Sequence, residues 1–283
     1  MRKFIVLALL SAFTAVAWDT DSSACWRRRG NRRYQCEPVV VCYSGQPRMT
    51  VGAPAIAARI QIVATKQFTS PKGLAYRIHL TNHQDMHEEA QVALGPDISP
   101  LSSSDDFLGK DRKAAKTSIV TGGPQSYTSI DDLLASLPAD QDMMNDPDIT
   151  KAEDSQRVES EQHNVTVTTF LYAASREKDN DYHLILGGPN AQSTGKFMNA
   201  EISGLPQGAF RKPLTIPRQA FKDYFGANIP GRSYSVFDSP IPVTVTGSLF
   251  YDIDHKPGVV GPGDLKPQTS WEIHPVSTIT FEP

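Results

Sequence analysis

Val243-Thr-Val-Thr-Gly-Ser-Leu-Phe-Tyr-Asp252 and Trp271-Glu-Ile-His-Pro-Val-Ser-Thr-Ile-Thr-Phe281 are the two runs whose reading decides the fold. Each alternates apolar with polar residues, the period of a strand with one buried face. Between them Ile253-Asp-His255 opens a loop punctuated by Pro257, Gly258, Gly261, Pro262, Gly263 and Pro267. Two strands joined by a long irregular loop, with carboxylates and imidazoles at both loop ends, mark where a binding surface is expected.

Working upstream, Val165–Tyr172, Asp181–Leu186 and Phe197–Ile202 read as three more strands, the second ended by Gly187-Gly-Pro189. Ile216–Gly226 reads as a helix, with Pro217 in its first turn and Gly226 just past its end. Three strands, a helix and two strands is the element order of an OB-type barrel. That fold binds oligonucleotides or oligosaccharides on its second and third strands and two loops. The expected fold class is therefore mainly β, with an OB-like five-stranded barrel and one helix over 161–283. Its two loops would be Ala173–Asn180 and Asp254–Ser270. An immunoglobulin-like sandwich competes, but the helix before the last hairpin speaks against it.

Strand parity sorts the polar residues, because side chains at i and i+2 share a face. Tyr182, Leu184 and Leu186 point to the core, and Asp181 and His183 away from it. Met198, Ala200 and Ile202 point inward, leaving Phe197, Asn199 and Glu201 outward. Glu272 and His274 share a face; Asp252 and Asp254 pair likewise, with His255 beside them. If the loops close as in that fold, Asp181, His183, Glu201, Asp254, His255, Glu272 and His274 converge. Such a cluster suits a divalent metal or the acid and base of a phosphodiesterase. It equally suits imidazoles held by acids that only brace the strands. With no nucleophile or metal-ligand motif in view the bracing reading is preferred, and no catalytic or metal residue is assigned. No cofactor is expected, a divalent metal entering only with the phosphodiesterase reading. The face of His183, Phe197, Asn199 and Glu201 is the expected contact surface.

The rest of the chain is less informative. Arg59–Ala64 and Leu74–Leu80 alternate around the turn Ser70-Pro-Lys-Gly73, giving a small β-rich segment over 57–95. His79, His83 and His87 fall four apart, but His79 sits in a strand-like run and Thr81-Asn82 breaks it, so no metal site is read there. Residues 96–160 are rich in Gly, Pro, Ser and acids and read as a linker. Within it lies one helix, 129–137, capped by Ser129 with Asp132 and stopped by Pro138.

Residues 1–17 have the basic start, apolar run and Ala15-Val-Ala17 site of a secretory signal. No later apolar run approaches a transmembrane length. The 18–56 arm holds Cys25, Cys36 and Cys42, of which one pair is expected to form a disulfide after export, and five arginines between Arg27 and Arg33. A net charge of −3 gives no bulk attraction to a polyanion, so that arm is the part suited to one. Twenty-one prolines and nineteen glycines favour short strands and turns over long helices.

Asp179-Asn-Asp-Tyr-His-Leu-Ile-Leu186, Met198-Asn-Ala-Glu-Ile202, Val245–Asp252, His255 and Glu272-Ile-His-Pro-Val276 together resemble an uncharacterised family of secreted bacterial proteins. The resemblance covers roughly residues 155–283 and implies bacterial origin and export, with no catalytic residues. A fainter similarity is to staphylococcal-type nucleases, through Asp179 and Asp181 at the second strand. Tyr182 stands where those enzymes carry Thr, and their catalytic arginines and glutamate have no counterpart here. The expected protein is thus an exported, secreted or periplasmic binding module. Its partner would be an envelope polysaccharide or protein, or less readily a nucleic acid. The alternatives are a metal-dependent phosphodiesterase and a structural envelope protein.

Overall fold

The computed structural model describes residues 60–85 and 104–282, together with the backbone of three strands before them. Those three, β1 (Phe13–Val16), β2 (Ser23–Arg28) and β3 (Tyr34–Pro38), form an antiparallel sheet in the unit 1–50. The register of β2 and β3 sets Cys25 opposite Cys36; Cys42 lies outside the described residues, and no disulfide is shown. The rest of residues 1–17, Arg29–Arg33 and His87 also lie outside them.

The second unit, 51–283, is described by itself. It runs β4 (Ile62–Thr69), β5 (Ala75–Thr81), α1 (Lys113–Lys116), β6 (Gln125–Tyr127), α2 (Ile130–Ser136) and α3 (Asp140–Met144). There follow β7 (Asn164–Arg176), β8 (Tyr182–Gly187), α4 (Ala191–Thr194), β9 (Phe197–Ile202), α5 (Arg211–Phe225), β10 (Ser235–Tyr251) and β11 (Trp271–Phe281). The molecule is mainly β. One eight-stranded sheet has the order β4-β5-β10-β11-β9-β8-β7-β6, and a further pairing of β10 with β7 closes five strands into a ring. Around that ring the order is β7-β8-β9-β11-β10, with β9 and β11 parallel and the other neighbours antiparallel.

Alternation explains why the ring closes. Val165, Val167, Tyr182, Leu184, Met198, Ala200, Val243, Val245, Ile273 and Val276 belong to one buried cluster fed by all five ring strands, the ring interior. On the solvent side of β7 and β10 the threonines face each other, Thr166 to Thr246 at 2.7 Å and Thr168 to Thr244 at 3.1 Å. Such cross-strand pairs contribute roughly 0.2–1 kcal/mol each. Gly247 sits where the β10–β11 register shifts. A Cβ there would stand 2.5 Å from the Pro275 carbonyl oxygen, so only glycine lets β11 come this close.

The helices seal the interior. Ser129 accepts the Asp132 N–H at 3.0 Å to start α2, which buries Ile130 and Leu133. α5 is longer than its sequence signal, starting at Arg211 and carrying Pro217 inside it. It lays Phe221 on Tyr182 at 4.6 Å between ring centroids, with Arg218 stacked on the same tyrosine. Among the described residues, no helix is long and apolar enough to cross a membrane.

The β4–β5 hairpin joins the main sheet: β5 pairs with β10 through Leu80–Ser235, His79–Val236 and Ile78–Phe237. One expectation about the front of this unit needs correction. Residues 104–160 are not a linker. Arg112 and Arg157 are buried, and so is Glu161, in the short helical turn before β7. Arg112 makes a two-pronged bond to Glu161, 2.8 Å on each side. Arg157 donates to the carbonyls of Leu249, Ala115, Ser118 and His274. A stretch with little apolar text is held here by charge-assisted hydrogen bonds, which hydrophobic periodicity does not register.

Candidate functional site

The outer face of β8, β9 and β11 carries the polar cluster. Parity places the residues as expected, His183 opposite Leu184, Glu201 opposite Ala200 and His274 opposite Ile273, because those apolar neighbours face the ring interior. The outer face is nevertheless not open. Asp181, His183, Glu272 and His274 are 0 % exposed, Asn199 and Phe197 1 %, Glu201 2 % and His255 4 %. The expected contact surface of His183, Phe197, Asn199 and Glu201 is therefore corrected: it is buried. The covering is local, with Gly261 of the β10–β11 loop hydrogen-bonded to Asp85 and α1 inserting Lys116.

Most of the expected residues meet. His274 lies between two acids, Nε2 3.2 Å from Asp181 and Nδ1 2.9 Å from Glu201. His255 Nδ1 is 2.8 Å from Glu272 and 3.6 Å from Asp252. Asn199 donates to Glu272 at 3.2 Å. His183 stands in the middle, its ring stacked on His255 and its Nδ1 3.9 Å from Glu201.

Asp254 does not join them. β10 ends at Tyr251, so the i, i+2 rule that paired Asp254 with Asp252 no longer applies beyond it. Asp252 Oδ1 accepts the Asp254 N–H at 2.8 Å, and the Asp254 side chain turns to Lys151. Asp252 is the acid that enters the cluster.

Four members were not singled out from the sequence. Lys116 reaches Asp252 at 3.0 Å from a segment read as linker. Asp85 follows β5, and Glu177 lies in the β7–β8 turn; each approaches His183 Nδ1, at 3.9 and 3.8 Å. Tyr234, just before β10, donates its hydroxyl to Asp85. None of these carries a motif. Their only signal is polar type, which surface residues share.

Electrostatics set the character of the site. Six buried or nearly buried carboxylates (Asp85, Glu177, Asp181, Glu201, Asp252, Glu272) face five basic groups (Lys116, His83, His183, His255, His274), of which His83 is partly exposed. Even with every imidazole charged, acid is in excess. Burial alone would depress Lys116, but Asp252 and Glu201 hold it well above its ordinary value. Burial would likewise depress His255, which Asp252 and Glu272 instead push up to about 10. Burial pushes Asp181 up, helped by Asp179 and opposed by His274, to about 7. Burial would raise Asp252, Glu201 and Glu272 as well, but Lys116, His274 and His255 respectively hold them below their ordinary values, so Asp181 is the exception among these acids.

Among the described residues, four sets of three have ligand atoms close enough together to share a metal ion: Asp85–Glu177–His183, Asp181–Glu201–His274, His183–Glu201–Glu272 and Asp252–His255–Glu272. They overlap through His183, Glu201 and Glu272. The His79–His83 pair is not among them: His79 faces Thr65 and Asp238, and His83 turns to Asp85. A groove of about 370 Å³ lies beside the cluster, lined by Leu134, Pro138, Lys196, Phe197 and Trp271 among others. A second, of about 580 Å³, is lined by Phe107, Lys113, Glu153 and Leu205 among others. Neither is lined by an imidazole or acid of the cluster.

No family model, no curated protein and no solved structure matches the chain.

Proposed function

We propose that the chain is an exported binding module on an OB-type ring, and that its ligand on the outer face of β8, β9 and β11 is a divalent cation. The OB-type reading is supported by three ring strands, a helix and two ring strands in chain order. Export is supported by the leader-like residues 1–17. The cation reading is carried by one observation: six carboxylates, buried or nearly so, meet at most five positive charges. Buried charge left uncompensated costs several kcal/mol per ion, and a divalent cation supplies the missing charge.

The phosphodiesterase reading uses the same residues. Its polyanionic substrate would have to reach buried or nearly buried side chains in a cluster with acid in excess, which the geometry does not favour. Polysaccharide or protein binding on this face meets the same obstacle.

The test is elemental analysis of the purified protein, followed by thermal unfolding with chelator and with added Zn²⁺, Mn²⁺ or Ca²⁺. Bound metal and a rise in Tm with one of these ions are expected. Protein that carries no metal and melts alike under every condition removes the cation reading.

A further inference from the structure

We propose that a divalent transition cation, Zn²⁺ or Mn²⁺, sits against Nδ1 of His183 within reach of Asp85, Glu177 and Glu201, and fastens the segment after β5 to the ring. The inference rests on the cation-binding reading and adds where the ion sits and what it holds.

The three imidazoles of the cluster differ. His274 has carboxylate oxygens at 2.9 and 3.2 Å, and His255 has one at 2.8 Å. His183 is completely buried, and its ring nitrogens, like those of His274, make no hydrogen bond of good geometry; it differs from His274 in that the carboxylate oxygens around its Nδ1 stand farther off. Around its Nδ1, Asp85 Oδ2, Glu177 Oε1 and Glu201 Oε1 stand at 3.9, 3.8 and 3.9 Å. These separations are too long for hydrogen bonds and nearly equal. Donors arranged tetrahedrally at about 2.3 Å from one ion stand about 3.8 Å from each other; the ligand atoms of Asp85, Glu177 and His183 all lie within 4.8 Å of one another, and Glu201 belongs to a neighbouring set with His183 and Glu272.

The acids are also aimed. Ser175 Oγ donates to Glu177 Oε1 at 2.8 Å, and the Tyr234 hydroxyl donates to Asp85 Oδ2. Hydrogen bonds from outside that orient a ligand atom are what metal sites use. One imidazole nitrogen with carboxylate oxygens favours Zn²⁺ or Mn²⁺ over Cu⁺, which prefers sulfur, and over Mg²⁺, which keeps its waters.

The ligands come from distant parts of the chain. Glu177 lies in the β7–β8 turn, His183 on β8 and Glu201 on β9, whereas Asp85 follows β5. Asp85 Oδ1 also accepts the Gly261 N–H of the β10–β11 loop at 3.0 Å. An ion here ties the segment after β5 to the ring and steadies one point of the loop.

The full chain is stripped of metal and titrated with Zn²⁺ and Mn²⁺ against a chromophoric chelator. One ion per chain is expected at this seat. Asp85→Asn and Glu177→Gln should each weaken it about 10–100-fold, while Asp254→Asn, facing Lys151, binds as the parent does. In hydrogen exchange the ion should slow the amides of residues 81–85 and Gly261. If the parent chain binds a cation but both variants bind it equally well, the ion sits elsewhere in the cluster. This inference then falls while the cation reading stands; a parent chain that binds none removes both. Should the variants fail to fold, pulsed EPR of the Mn²⁺-loaded parent decides: coupling to one imidazole nitrogen supports the seat, and coupling to none or to several overturns it.

Discussion

The ring of His183 lies flat against that of His255, centroids 5.6 Å apart and planes 17° from parallel, with both residues buried. They arrive there differently. His183 is carried by β8, and His255 comes from the loop after β10, where Glu272 of β11 fixes it. Asp252 and Glu272 hold the charge on His255. The stack thus sets His183 of β8 directly against a positively charged ring of the β10–β11 loop.

Chelation is expected to destabilise metal-loaded protein. At free ion one hundred times Kd, binding to the folded state contributes about 2.7 kcal/mol. For a chain of this size removal should lower Tm by roughly 5–10 °C, read by scanning calorimetry with and without chelator.

Glu161→Gln should cost about 3 kcal/mol, measured as a lower urea midpoint at unchanged slope. Its carboxylate is fully buried, takes both prongs of Arg112 and accepts the Tyr251 N–H at 2.8 Å. The neutral amide would leave the Arg112 charge buried without its counter-ion.

At the C-terminal end, Glu282 accepts from the hydroxyls of Tyr76 at 2.7 Å, Tyr224 at 2.9 Å and Ser70 at 3.0 Å. It thereby joins the β4–β5 hairpin, α5 and the end of β11. Tyr224→Phe removes one donor and should cost about 1.5–3 kcal/mol. Glu282→Ala leaves three donors without their acceptor and should cost more. Equal chemical-denaturation curves for the two variants would contradict this clamp.

Asp105 gives a prediction for acid. Burial raises its pKa, but Lys222 and Arg218 outweigh burial and hold the carboxyl below its usual 3.8. A folded value below the unfolded one contributes stability that is complete above about 3.8 and fades as pH falls through the folded value. Asp105→Asn should be less stable than the parent at neutral pH, and the gap should close as pH falls below 3.8 through the lowered folded value. Melting curves from pH 2 to 7 that stay a constant distance apart would exclude this role.

The alternating runs were legible because burial on one face of a strand writes itself into every second residue. Phe197–Ile202 and Trp271–Phe281 form strands at their expected bounds, and the Ser129 cap starts its helix where the hydroxyl and acid indicated. The same parity assigned His183, Glu201, Glu272 and His274 to one side. It failed at Asp254, one turn of chain past the strand end. Residues 104–160 were misread because Arg112, Lys116 and Arg157 are buried by pairing, and a paired charge looks in sequence like a solvated one.

What the sequence determined by itself is the order of strands and helix and the face each polar side chain takes, since both follow from local periodicity. Only the tertiary structure decided that this face is covered. It also brought Asp85, Lys116, Glu177 and Asp252 to the imidazoles. Burial of a charge depends on partners brought from remote segments to within a few ångströms, and no local pattern encodes that distance.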